Sequence, residues 1–205
     1  MQCIKDLIEG ETDCILIDEA GPYRIEHCDG VWSNSVILSS SLNPLHKGHL
    51  NMMHWAENEA SRMIIPYTEF WFELTILNCD KGTIEYHDII NRIQQVRSLG
   101  RNIAVTRCPT FVQKSYLFPG ATFMVGTDTI ARVNDKKYCY DSIKELDKSI
   151  ERIKKNGCKF VVMDRVGHSM SSQLTPGLLN ICTFAKGFNP IDISSTMIRE
   201  GKCSV

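Results

Sequence analysis

Two histidines three residues apart, His46 and His49, stand in the stretch "SSSLNPLHKGHL" (39–50), directly behind a short apolar run, "VILSS". Imidazoles in that place suggest chemistry on anions. In an open parallel sheet, ligands bind at the carboxyl ends of strands, where the next helix points its free amides and positive dipole end. Pro44 would fix the turn, and Gly48 would let backbone and ligand approach closely. His46 and His49 at a helix start would project from one face. Two ring donors beside free backbone amides make a site for phosphate oxygens. The rival is a His-x-x-His metal site, but no third ligand is near in sequence and Lys47 between the rings would repel a cation. The G-x-x-x-x-G-K-[ST], G-x-G-x-x-G and G-x-S-x-G patterns are absent. His54, His87 and His168 are read as packed or exposed.

A second stretch, "DISSTMIRE" from Asp192 to Glu200, places Ser194, Ser195 and Thr196 at a helix start with Arg199 a turn later. Ser194 reads as an N-cap. Consecutive hydroxyls at a helix N-terminus followed by an arginine also suit a triphosphate. Two lysines stand open between roles. Lys81, in "NCDKGT", reads equally as a plain turn or as a contact to a second ligand, and Lys114, after "PTFVQ", has the same two readings.

"NPLHKGH" and "ISSTMIR" together resemble the paired motifs of the nucleotidyltransferases, in particular the nicotinamide and nicotinate mononucleotide adenylyltransferases. Their pattern opens [GS]-x-F-N-P-x-H-x-G-H and closes I-S-S-T-x-I-R. "GTDT", Gly126 to Thr129, resembles their G-x-D nucleotide-contacting stretch, and the likeness runs from Val31 to Gly201. The resemblance implies a Rossmann-like fold. It implies ATP phosphate contacts and catalysis by His46, His49 and Arg199, with Ser195 and Thr196 on the phosphates. Gly126 and Asp128 would lie along the nucleotide, and Ser40, Asn43 and Gly48 in the binding turn. Ser40 and Leu42 stand where members usually carry Gly and Phe, and of the two only Leu42 falls outside the pattern. A serine at position 40 is expected to crowd the strand end, so that Ser40→Gly would raise activity modestly.

The implied reaction needs no protein nucleophile. The phosphate of a mononucleotide attacks the α-phosphate of ATP in line and expels pyrophosphate, with Mg²⁺ accompanying the ATP. Expected partners are ATP and a nicotinamide or nicotinate mononucleotide. Cytidylyltransferases share H-x-G-H but close differently, phosphopantetheine adenylyltransferases typically lack the full closing motif, and FAD synthetases carry Asp-Gly in the opening. Another nucleotidyltransferase (phosphopantetheine-, FMN- or CTP-dependent) therefore stays as an alternative. So does a non-catalytic nucleotide-binding sensor, although such a domain would be free to lose His49 or Arg199, and both are present.

The elements that must position these residues are legible as alternation. Strand-like runs are "CILID", "SVILSS", "FWFELTIL", "NIAVT", "ATFMVG", "KFVVMDRV" and "ICTFAKGF". Helical spacing shows at Leu50, Met53, Ala56 and Ala60, and again at Ile89, Ile93 and Val96 before Gly100. It recurs at Ile143, Leu146, Ile150 and Ile153 after Asp141. "PTFVQKSYLFPG" predicts a short helix opened by Pro109, and Glu151 is placed to pair with Lys155. Strands separated by helices predict a mostly parallel sheet with helices on both faces. Residues 1–30, with a possible helix in "IKDLIEG", are expected to be an appendage, and 31–205 the nucleotidyltransferase domain.

Composition excludes more than it selects. A net charge of -1 over 205 residues gives no global field for nucleic acid or an anionic membrane. No apolar stretch is long enough to span a bilayer, and the start lacks the apolar core of a signal peptide. The nine cysteines are odd in number, with no C-x-x-C pair. They read as small apolar residues of a reduced intracellular protein, cytoplasmic or nuclear, without zinc.

Overall fold

The computed structural model describes residues 1–24, 31–62, 69–78, 82–163 and 173–204. Lys81 and His168 lie outside these. The chain runs α1 (Gln2–Glu9), β1 (Cys14–Asp18), β2 (Gly21–Arg24), β3 (Ser35–Ser39), α2 (Lys47–Arg62) and β4 (Glu69–Thr75). It continues through β5 (Leu77–Asn78), β6 (Gly82–Thr83), α3 (Tyr86–Arg97), β7 (Asn102–Thr106), α4 (Phe111–Leu117) and β8 (Thr122–Gly126). It ends with α5 (Thr127–Val133), α6 (Ile143–Lys155), β9 (Lys159–Met163), α7 (Pro176–Leu179), β10 (Cys182–Phe184) and α8 (Ser195–Arg199).

Eight strands form one sheet in the order β10-β9-β8-β3-β4-β7-β1-β2. From β10 to β7 every neighbouring pair is parallel. Counted from β3 as the first strand, the parallel part reads 3-2-1-4-5-6 from β7 to β10, the doubly wound Rossmann order. The chain leaves β3 toward β4 and β7, then α4 returns it to the other side of β3 as β8. The crevice between the carboxyl ends of β3 and β8 is therefore the topological switch point, where ligands bind in such sheets.

Alternation along the strands feeds two cores, one per face. Leu38, Phe72, Ile103 and Val105 pack with Leu7 of α1, Met53 of α2 and Ile89, Ile93 and Val96 of α3. Ile37, Trp71, Ala104 and Phe123 pack with Ile130 of α5 and with Leu146, Ile150 and Ile153 of α6. Residues expected as an appendage complete the sheet, since β1 pairs antiparallel with β7 and β2 with β1. Arg107 anchors α1 by donating to the carbonyls of Leu7 and Ile8 at 2.8 and 2.7 Å.

Local chemistry departs from the sequence reading in three places. Helix α4 is opened by Thr110, not Pro109: its side chain accepts from the Gln113 amide while Gln113 accepts from the Thr110 amide, a full capping box. Ile143, expected on the apolar face, is 63% exposed: it is the first residue of α6, which Ser142 caps, and the buried stripe begins at Leu146. Glu151 lies 3.9 Å from Lys154, one residue short of Lys155. Among the described residues the cysteines are unbridged, and burial pushes the thiols of Cys108 and Cys182 up to about 12. Among the same residues no helix is long and apolar enough to cross a membrane.

Candidate active site

The turn from Ser40 to His46 is held from both sides. Helix α3 supplies Gln95, which accepts from the Leu45 amide at 2.8 Å, and Arg92, which donates to the Ser41 carbonyl at 3.0 Å. Helix α8 supplies Ser195, whose hydroxyl donates to the Pro44 carbonyl at 3.0 Å, and Arg199, which donates to the Asn43 carbonyl. Within the turn the Asn43–Pro44 peptide is cis, and Leu42 is left-handed (φ 49°) with its side chain fully buried. Such a conformation is costly for a branched side chain and persists where the surroundings over-determine it. Here the clamps from α3 and α8 do so.

The two histidines come together as the spacing predicts. Their rings stack at 3.8 Å between centroids, 27° apart, and both are buried. His46 Nδ1 accepts from the Gly48 amide at 3.1 Å, and His49 Nδ1 accepts from the His46 amide at 3.3 Å. In each ring, then, Nε2 is the nitrogen that bears the proton. Burial first, and the His46 ring second, lower the His49 pKa to about 3, so this ring is neutral at ordinary pH. Its Nε2–H donates to Ser40 Oγ at 2.7 Å. The Ser40 hydroxyl is thus engaged with His49 rather than merely crowding the strand end.

Gly48 also has a packing role. A Cβ there would lie 2.9 Å from two atoms of the His46 ring and 3.0 Å from Ile193 Cγ2. The missing side chain makes room for the imidazole and for the segment entering α8. That segment is also tied to α2, where Asn51 donates to the Asn189 carbonyl at 2.8 Å. Ser194 caps α8 by accepting from the Met197 amide at 3.2 Å, and Thr196 accepts from Arg199 at 3.1 Å.

Two cavities open on either side of this turn. The smaller, about 290 Å³, is lined by Ser40, His46, Gly48, His49, Gly126, Asp128 and Ser195, with Met163, Phe188 and Ile191 as apolar wall. A Cβ on Gly126 would meet nothing within 4 Å, so the strand end there is open. The larger, about 990 Å³, takes in Asn43, Glu73, Arg92, Lys114 and Arg199. Ser39, Ser40 and Ser41 line both. Thr196 is the one expected contact residue that lines neither of these cavities; it braces Arg199 instead. His54 and His87 lie exposed on α2 and α3.

Lys114 is not a surface lysine. It is 5% exposed and donates to Glu73 Oε2 at 2.6 Å, with Ser39 Oγ at 3.4 Å. Glu73 is fully buried, and its other oxygen accepts from Thr75 at 2.7 Å and Thr106 at 2.6 Å. Sequence reasoning passed over Glu73, Arg92 and Gln95. For the first two a signal existed: Glu73 is the lone carboxylate within "FWFELTIL", and Arg92 falls on the buried stripe between Ile89 and Ile93.

A family model described as cytidylyltransferase-like matches residues 38–201, from the end of β3 to just past α8. The chain belongs to the cytidylyltransferase-like family. No curated protein matches it. Among solved structures it is similar to the nicotinic acid mononucleotide adenylyltransferase of Plasmodium falciparum, complexed with NaAD, at 17% identity, a TM-score of 0.42 and 82% of each chain covered. The span matched to the cytidylyltransferase-like family includes the histidine turn, "GTDT" and α8, which supply the walls of the smaller cavity.

Proposed function

We propose that the chain is an adenylyltransferase that joins ATP to nicotinamide or nicotinate mononucleotide, releasing pyrophosphate and a dinucleotide. The observation that carries this reading is the pair of cavities sharing Ser39–Ser41, with His46 and His49 in the wall of one and Arg199 in the wall of the other. Two substrates need two adjoining pockets, and a phosphoryl transfer needs donors where they meet.

The smaller cavity suits ATP. Its apolar wall fits a planar base, and the paired imidazoles stand in the wall of the same cavity, the His49 Nε2–H turning from Ser40 Oγ to a phosphate oxygen when ATP binds. Neutral imidazoles contribute hydrogen bonds without burying a charge, and their ring orientation is fixed beforehand by the Gly48 and His46 amides. ATP brings Mg²⁺ with it, held by phosphate oxygens and water as that ion prefers. Arg199, braced by Thr196 and in the wall of the larger cavity, offsets phosphate charge from the other side of the turn. An oxygen of the acceptor phosphate forms the new bond to the α-phosphorus, the α–β bridging bond breaks, and its electron pair leaves with pyrophosphate. No proton transfer is required, so the protein contributes position and charge compensation.

The test is incubation with Mg-ATP and a panel of acceptors: nicotinamide and nicotinate mononucleotides, phosphopantetheine and FMN, with phosphocholine and CTP alongside. Pyrophosphate release and product mass are read together. Dinucleotide from ATP and a nicotinamide or nicotinate mononucleotide is expected. Turnover only with CTP, or only with phosphopantetheine, would sink the assignment.

A further inference from the structure

The Glu73–Lys114 pair is the unexplained feature of the larger cavity. Removing two charges from water is costly, and their mutual attraction repays this only with good geometry and further hydrogen bonds. That condition is met on the carboxylate side, where Thr75, Thr106 and Lys114 occupy both oxygens. Glu73 also borders the cavity, but it has no exposed surface and both its oxygens are engaged, whereas the Lys114 side chain keeps a small exposed area toward a ligand. The Phe111 ring, 5.0 Å from Nζ, walls off another side. An ammonium has three donors, and Glu73 and Ser39 take two. Ser39 is one of the residues common to both cavities, so the third donor stands beside the place where they join.

Charge in the cavity points the same way. Arg92, Arg132 and Arg199 join Lys114 in its described lining, against Glu73, Glu85 and Asp88. Arg92 is already engaged by Asp88 at 3.3 Å and by the Ser41 carbonyl. Lys114 is the buried cation of this lining whose carboxylate partner has no exposed surface.

We infer that Lys114 receives the phosphate of the acceptor, a phosphomonoester dianion, and that Glu73 is the residue that positions it. This rests on the reading of the chain as a transferase with a phosphorylated acceptor. Held there, the acceptor phosphate keeps one oxygen turned across the Ser39–Ser41 partition toward the α-phosphorus of ATP. The lysine offsets the repulsion between the two anions as they approach.

The test is equilibrium binding, which needs no turnover. Nicotinamide mononucleotide, ribose 5-phosphate and the unphosphorylated riboside are titrated into the full chain, and ATP separately. A charge-assisted hydrogen bond of this kind corresponds to roughly a ten- to hundredfold change in affinity. Lys114→Met should weaken both phosphorylated ligands by that factor, abolish their advantage over the riboside, and leave ATP within about twofold. Because that variant strands a buried carboxylate, Lys114→Met/Glu73→Gln is measured beside it; it removes both charges and keeps an acceptor for the threonine hydroxyls. A folded double variant that binds both phosphorylated ligands as the parent does would overturn the assignment, as would a parent that binds neither. Loss of ribose 5-phosphate binding in a protein that turns over no acceptor would support Lys114 and refute the proposed reaction.

Discussion

The histidine wall and the lysine wall flank the same three serines, yet they keep polar groups dry by different means. On the histidine side the buried polar atoms are ring nitrogens: the two Nδ1 accept from amides and His49 Nε2 donates to a hydroxyl, all within ten residues of chain, Ser40 to His49. On the lysine side a full ion pair is buried between residues 41 apart, and strands β4 and β7 contribute the supporting hydroxyls. Neutral donors cost little to desolvate, so short local geometry suffices to hold them. A buried charge demands partners from several elements. The comparison teaches that one site can draw its precision from local spacing on one side and from tertiary convergence on the other.

Breaking the local side should have the largest effect. His49→Ala is expected to lower turnover on the order of 10²–10³, the loss typical of one preorganised oxyanion donor, and to weaken ATP binding much less. His46→Ala should behave alike, and the double variant should cost less than the sum because both rings serve one charge. His54→Ala, on the exposed face of α2, is the control. Steady-state rates, ATP affinity and thermal melts decide it; a folded His49→Ala protein with near-normal turnover would refute the role.

Gly48→Ala sharpens the same point without touching a donor. Its Cβ must displace the His46 ring, and misplacing a reacting group by an ångström can cost about a hundredfold, so a loss of roughly ten- to hundredfold in turnover is expected. Unchanged rates would mean the ring position is immaterial. Ser40→Ala should do less: the hydrogen bond it removes corresponds to about a two- to tenfold fall in turnover. A rise in rate would restore the crowding expectation.

A separate effect is on stability. The folded chain holds His49 near 3, against an ordinary value of 6.5, so the unfolded chain binds a proton that the folded chain refuses. Its contribution is intact above about 6.5 and is lost progressively as pH falls toward 3. Urea unfolding across pH 7.5 to about 4.5 should show a steeper decline in the parent than in His49→Gln. Equal slopes would contradict the buried, neutral ring.

What the sequence disclosed follows the same division. The helices and strands were legible because the apolar stripe of α3 and the short continuous apolar run of β7 are local properties. The histidine turn and the α8 hydroxyls were legible because their spacing carries the geometry. The place of β8 beside β3 was not, since strand order depends on which side α4 returns to. Glu73 and Lys114 each look ordinary in sequence, and only the sheet brings β4 under α4. Ser40 appeared as an obstruction because its neighbour His49 lies nine residues on, across the turn.

The N-terminal hairpin has a consequence for how the chain reaches this state. Strand β1 is made first, but its partner β7 follows roughly ninety residues later, and only then can α1 find Arg107. Until that docking, β7 is an open edge carrying Ile103 and Val105, a ready template for pairing with another chain. The hairpin therefore serves as a late-closing cover: early in synthesis it waits, and once seated it ends the sheet with β2 outermost. Removing residues 1–24 would leave the histidine turn and both cavities intact in composition, and expose the molecule to aggregation along β7.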